Sequence, residues 1–375
     1  MAQNPPTQTI AEQVRAEQEA YLQAVEDHMQ EFFTSQEQLL HKISTESVEL
    51  LNAIRRLCSG GKRIRALLSY WGYRGAGATG VSDEIVKAGV AIELFQTAAL
   101  IHDDIIDRSD TRRGLPSVHR KFEHEHQRQQ WLTSSENYGI SSAIIAGDLC
   151  LSWSEMMFSS IGNKALWGSE ARHIFDLMRT EVMAGQYLDI FNEVLPSQGY
   201  QQSLQYAHNI IRYKSAKYSC EHPLSLGGAL ALNISSAETN PLLEQYRSFG
   251  LPLGEGYQLR DDVLGVFGEP RETGKPAGDD LKEGKRTVLI ALVEKNASPA
   301  QWELLNSQLG NPELHDNEIT QLRTIITRSG ALAEVEKYIE NTGDKVFSAL
   351  ESMKVDELTR TALGSIVSKM LHRRS

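Results

Sequence analysis

The chain has 375 residues, 41% of them hydrophobic and 23% charged, an ordinary composition for a globular protein. A net charge of −11 excludes general nucleic-acid binding, which calls for a basic face, yet a locally basic pocket can still hold an anion. No run is expected to reach the roughly 18 to 20 apolar residues of a bilayer span.

The start, Met-Ala-Gln-Asn-Pro-Pro with Glu12, Glu17 and Glu19 soon after, has the profile of neither a secretory nor a transit peptide. Cys58, Cys150 and Cys220 are scattered and odd in number, as expected of reduced thiols in a cytoplasmic protein. Beyond a loose tail over residues 1–10, apolar residues recur at helical spacing over 86–101 and near 141–161, 171–191, 203–232, 242–264 and 286–294. Breaks fall at 72–80, Leu195-Pro196-Ser197, Asn240-Pro241 and 268–284. Strand alternation is scarce, no linker divides the chain, and one all-α domain over 11–375 is expected.

Residues 119–139 are strongly polar and read as an exposed insertion. His124 and His126 within it lack a further Cys or His at metal-ligand spacing, so a charged loop is the expectation. Gly75-Ala-Gly77-Ala-Thr-Gly80 matches a dinucleotide-binding pattern, but that motif needs a preceding strand. Between two helices it reads as a turn.

The chemistry lies in two aspartate-rich segments, Asp103-Asp104-Ile-Ile-Asp107 and Asp261-Asp262-Val-Leu-Gly265. On a helix Asp103 and Asp107 share a face. Two carboxylates on an otherwise apolar helix are costly without a cation between them. A hard divalent ion such as Mg²⁺ suits carboxylate oxygen and keeps positions for phosphate oxygens.

With Gly60-Gly61-Lys62-Arg63-Ile-Arg65, Arg112-Arg113-Gly114, Gly185-Gln186-Tyr-Leu-Asp189, Lys214-Ser215, Gln258-Leu-Arg-Asp261-Asp262 and Thr273-Gly274-Lys275 in this order, the chain resembles the trans-isoprenyl (polyprenyl) diphosphate synthases. The resemblance runs over about residues 60–287 and implies a bundle of about ten or more helices around a central cavity. It implies condensation of isopentenyl diphosphate with an allylic diphosphate, release of diphosphate, about three Mg²⁺ ions per site and a homodimer.

Residue by residue, it gives Asp103 and Asp107 to two ions and Asp261 to the third, with Asp104 and Asp262 behind them. Arg112, Lys214, Lys275 and Lys285 would hold the allylic diphosphate, assisted by Ser215 and Gln258. Lys62, Arg65, Gln96 and Arg113 would hold isopentenyl diphosphate. The basic end His372-Arg373-Arg374 resembles tails that close over that site. Gly265 departs from the family's usual aspartate, Ser215 from a threonine and Ala66 from a proline. Ala98 and Ala99, one turn below Asp103, are small where farnesyl-making members carry an aromatic. Phe95 lies two turns down, about 12 Å away at 1.5 Å per residue, and as a floor would stop growth near C20. Farnesyl and longer-chain synthases are the alternatives within the class. A terpene cyclase would not need Gly-Gly-Lys-Arg-x-Arg, and a non-catalytic subunit would lack aspartates of the first motif.

Overall fold

The structure, a computed structural model, describes residues 9–197, 199–268 and 278–371. It contains two compact units. Among the described residues, one comprises 9–173, 223–243 and 353–366, the other 174–197, 199–222, 244–268, 278–352 and 367–371.

The first unit opens with α1 (Ile10–Ile43), started by a capping box in which Thr9 and Glu12 satisfy each other's backbone N–H. α2 (Val48–Cys58), α3 (Ile64–Gly75) and α4 (Asp83–Ile106) follow. The turn between α3 and α4 holds Gly77 and Gly80 at positive φ, so the glycine-rich stretch is a connection, as expected. A two-stranded hairpin, β1 (Thr111–Arg112) and β2 (Leu115–Pro116), leads to α5 (Val118–Gln129) and α6 (Ser135–Ser159). α4 is the central helix of this unit: Ile85, Ala88, Ile92, Phe95, Ala98 and Ile101 are buried along it. It is long and apolar enough by composition to cross a membrane, contrary to the sequence expectation. However, 72% of its apolar window is buried within the protein, as in a core helix.

The polar stretch 119–139 also differs from expectation, because most of it is helix. Val118, His119, Phe122 and His126 form the buried stripe of α5. His126 Nε2 lies 2.9 Å from the Leu132 carbonyl, and its ring stands edge-on to Trp131. His124 is exposed. Two histidines two residues apart face different sides of a helix, so they do not form a site.

The second unit takes most of α7 (Glu170–Val194), then α8 (Tyr200–Ile210) and a π-helical segment Ile211–Glu221 that runs into α9 (His222–Leu232). Most of α10 (Pro241–Phe267) belongs to it, with α11 (Asp279–Glu283), α12 (Val288–Asn296), α13 (Pro299–Gln308), α14 (Asp316–Arg328) and α15 (Ala331–Ser352). The described residues end with α16 (Glu357–Leu371). Val288, Leu289 and Leu292 of α12 are wholly buried beside Leu322 and Ile326 of α14 and Val335 of α15.

Candidate active site

The first aspartate motif forms the end of α4. Asp107 is its C-cap, and its N–H donates to the Asp103 carbonyl at 2.8 Å, so the two side chains stand one turn apart. The C-terminal end of a helix carries partial negative charge, which makes carboxylates there unfavourable and a bound cation favourable. Asp103 and Asp107 are half-buried, whereas Asp104 is 1% exposed.

The hairpin explains the order Arg112-Arg113-Gly114. Arg112 pairs with Leu115, leaving Arg113 (φ 55°) and Gly114 (φ 73°) as a two-residue loop. Positive φ at both places is the pattern of a type I′ turn, where glycine is favoured. The strand sends Arg112 onto Asp104: Nε donates to Oδ1 at 2.8 Å, and Nη2 reaches the same oxygen. Asp103 lies 3.6 Å from Nη2. Burial opposes the guanidinium charge, but Asp104, then Asp103 and Asp107, hold its pKa above the ordinary value.

Arg113 goes the other way, donating to the Leu57 carbonyl at 2.8 Å. A Cβ on Gly60 would sit 2.8 Å from its Nη1, and one on Gly61, itself at φ +112°, 2.7 Å from Nη2. The paired glycines leave room for this guanidinium. Burial and then the Arg63 charge lower its pKa. Arg63 faces inward from the start of α3. It donates to Glu93 at 2.9 Å, Glu26 at 3.3 Å and the Cys58 carbonyl. Lys62 is exposed and Arg65 half-buried on either side of this inward residue. Gln96 is half-buried, Phe95 and Ala98 are buried, and Ala99 is partly open. Phe95, Ala99 and Asp103 follow at intervals of four along one face of α4.

In the second unit, Lys214 Nζ donates to Asp189 Oδ2 at 2.5 Å. Gly185 brings the two segments together, since a Cβ there would lie 2.4 Å from the Lys214 backbone nitrogen. Gln258 Nε2 donates to Asp262 Oδ1 at 2.7 Å across one turn of α10. Arg260 is turned onto Glu336 of α15 by two bonds of 2.7 and 2.8 Å. Asp261 is half-buried. Burial, and after it the Asp280 carboxylate, push the Asp262 carboxyl up to about 8. Lys285 contacts Glu283 at 2.5 Å and Asp280 at 4.0 Å. Lys275 and His372-Arg373-Arg374 lie outside the described residues.

Sequence reasoning missed Asp280. A Cβ on Gly265 would meet Asp280 Oδ2 at 1.9 Å. The carboxylate of α11 therefore fills the space above the position where the family's usual aspartate is absent. The signal was the run Gly278-Asp279-Asp280, shortly after the second motif, which no expectation used.

The donor set is all oxygen. Among the described residues no three His, Cys, Asp or Glu side chains group as a metal site. Carboxylates offered in ones and twos fit Mg²⁺, which keeps waters and takes phosphate oxygens as its remaining ligands.

Residues 47–326 match the polyprenyl synthetase family model. The chain belongs to this family. A geranylgeranyl diphosphate synthase of Saccharolobus solfataricus is 30% identical over 276 residues, covering 72% of this chain and 74% of that one. A geranylfarnesyl diphosphate synthase of Aeropyrum pernix is 28% identical over 88% of this chain and 95% of its own. Among solved structures, a geranylgeranyl pyrophosphate synthase of Corynebacterium glutamicum, complexed with isoprenyl diphosphate and magnesium, is 34% identical. It superposes with a TM-score of 0.87 over 94% of this chain and 99% of that one. As a polyprenyl synthetase the protein is a prenyltransferase, and its all-α fold is that of its relatives.

Proposed function

We propose that this synthase condenses isopentenyl diphosphate with allylic diphosphates and releases a C20, geranylgeranyl, product. The observation that carries the reading is the end of α4, where Asp103 and Asp107 stand one turn apart beside an Arg112 already committed to Asp104. Asp103 and Asp107 would hold two Mg²⁺ ions and Asp261 a third, with Asp104 and Asp262 orienting them. Bound there, magnesium would neutralise charge on the departing diphosphate. Arg112, Lys214, Lys275 and Lys285, with Ser215 and Gln258, would bind and orient the allylic diphosphate. Lys62, Arg65, Gln96 and Arg113 would take isopentenyl diphosphate without metal, arginine suiting phosphate because its fork binds two oxygens.

Asp280 would supply the carboxylate that Gly265 lacks. That reading rests on its contact with the Cβ position of Gly265 and its field at Asp262. Apolar walls would keep water from the allylic cation. Phe95 would form the floor, with Ala99 and Ala98 leaving the first turn below Asp103 open. A homodimer would cover the apolar side chains that α6 exposes, Ile144, Ile145 and Met156.

The test is product analysis. Purified protein, Mg²⁺ and labelled isopentenyl diphosphate are incubated with C5, C10 or C15 allylic diphosphates, and the dephosphorylated products are chromatographed. A dominant C20 alcohol is expected. C15 or C30 and longer products would overturn the floor, and no elongation with any primer would overturn the catalytic reading.

A further inference from the structure

The segment Ile211–Glu221 is π-helical over eleven residues. π-helix is rare, usually a single turn, and concentrates at functional sites. Something must hold this backbone against relaxation to α-helix. Glycines let α7 and α10 press directly on it. A Cβ on Gly185 would lie 2.4 Å from Lys214 N, one on Gly254 2.4 Å from Ala216 O, and one on Gly250 2.6 Å from the Glu221 Cα. Such contacts permit the conformation without selecting it.

A polar contact spans it. The His222 N–H donates to the Lys217 carbonyl, the five-residue bond that defines a π turn. The side chains of the same two residues converge on Glu181 of α7. Lys217 Nζ donates to Oε1 at 2.6 Å, and His222 Nε2 lies 2.6 Å from Oε2. The carboxylate can only accept, which assigns the proton to Nε2. In an α-helix, residues sharing a face are three or four apart, so one carboxylate reaching side chains five apart fits the wider turn. Glu181 and His222 are buried to 16% and 4% side-chain exposure. Burial works against the Glu181 charge, but the bonds from His222 and Lys217 outweigh it and keep its pKa below the ordinary value. Glu181, Gly185 and Asp189 follow at intervals of four on one face of α7, so the face that brackets the turn also receives Lys214.

We propose that Glu181 is a positioning residue: it clamps the π turn between Lys217 and His222 and so sets the direction in which Lys214 and Ser215 face the allylic diphosphate. Expelling the π residue would rotate the preceding segment by about 100°, one residue's share of an α-turn. Gly185 and Asp189 would then face the wrong side chains. The proposal rests on the synthase reading, which gives Lys214 and Ser215 to the allylic substrate.

Steady-state kinetics with each substrate varied separately, in Mg²⁺, tests it on the full-length protein. Glu181→Gln keeps the shape but loses one acceptor. It should raise KM for the allylic diphosphate and lower kcat, together about tenfold or more in kcat/KM, the scale of one charge-assisted hydrogen bond. KM for isopentenyl diphosphate should stay within about twofold. A loss of bulk stability would not choose between substrates, so equal effects on both KM values, or none on either, overturn the proposal. His222→Gln, whose amide can still donate, and His222→Leu, which cannot, keep the test open if Glu181→Gln fails to fold. An allylic-selective defect in His222→Leu that is relieved in His222→Gln supports the clamp, and equal behaviour of the two overturns it. Wild-type turnover is measured first. Its absence would overturn the synthase reading itself, whereas wild-type turnover with an unselective Glu181 defect would overturn the clamp alone.

Discussion

Replacing Gly265 by alanine should destabilise this protein, although the same change inside a helix is normally favourable by about 1 kcal/mol. The new methyl would lie 1.9 Å from Asp280 Oδ2, 2.3 Å from its Cγ and 2.7 Å from Oδ1. No rotation of the methyl relieves three such contacts, so the carboxylate must leave. Asp280 is 9% exposed and faces Lys285, so moving it also disturbs α11. Overpacking of this kind costs about 1–3 kcal/mol, for a net loss of up to about 2 kcal/mol after the helix gain. Asp280→Ala vacates the space. In that background Gly265→Ala should be neutral or stabilising, giving a coupling of about 2 kcal/mol between the two positions. Thermal melts of the four proteins in metal-free buffer, at one concentration, measure it. The double variant should melt at or above Asp280→Ala, and Gly265→Ala below wild type. Additive shifts would show that the two residues do not share this space, and Asp280 would then lose its claim to replace the missing aspartate.

The Asp262 carboxyl, raised to about 8 from an ordinary 3.8, holds a proton in the folded protein that the unfolded chain has already released. Stability should therefore fall as pH rises between about 4 and 8. The loss is about 2 kcal/mol from pH 6 to 8 in metal-free buffer, and Asp262→Asn should flatten the slope of Tm against pH. An unchanged slope refutes the assignment. Phe95→Ala should lengthen the product beyond that of the parent and, because Phe95 is 1% exposed, lower stability by about 3–5 kcal/mol. Chromatography of the chain-length distribution decides the first point and a melt the second. Arg63→Met would leave Glu93 buried without its cation and should lose about 3–5 kcal/mol. A Tm within about one degree of wild type would show that the Glu26–Arg63–Glu93 tie contributes little.

The helices were readable because apolar residues recur at their period and glycine and proline mark their ends. The end of α3 at Gly75 and the start of α10 at Pro241 fall where the punctuation put them. Motif order identified the family, and that is a property of the string. Direction was not in the string. Lys62, Arg63 and Arg65 look alike as letters, yet backbone at φ 50° turns Arg63 inward to Glu93. Likewise Arg112 and Arg113 diverge because a two-residue turn separates a strand residue from a loop residue. α5 departs from the expected exposed insertion because histidine fills a core stripe when its ring nitrogen has a carbonyl to meet, and that carbonyl belongs to Leu132. The π segment and the place of Asp280 are not legible in the string for one shared reason. Both depend on groups brought in from elsewhere in the chain, Glu181 in one case and the space over Gly265 in the other.

Three of the cations assigned to diphosphate do not wait bare. Arg112 is held on Asp104, Lys214 on Asp189 and Lys285 on Glu283. A buried cation without a partner would be expensive and would lower its pKa or move toward water. With a partner it keeps its charge and its direction. If these cations take diphosphate as proposed, binding would be an exchange of partners, in which the anion must share or displace a carboxylate already present. The net affinity is then smaller than the sum of the new contacts. The proposed elongation has a use for this, because its product is again an allylic diphosphate that must leave or re-bind as the next primer. Cations held by internal carboxylates would keep the proposed site ordered between these events, and the same carboxylates would compete with the departing anion and favour its release.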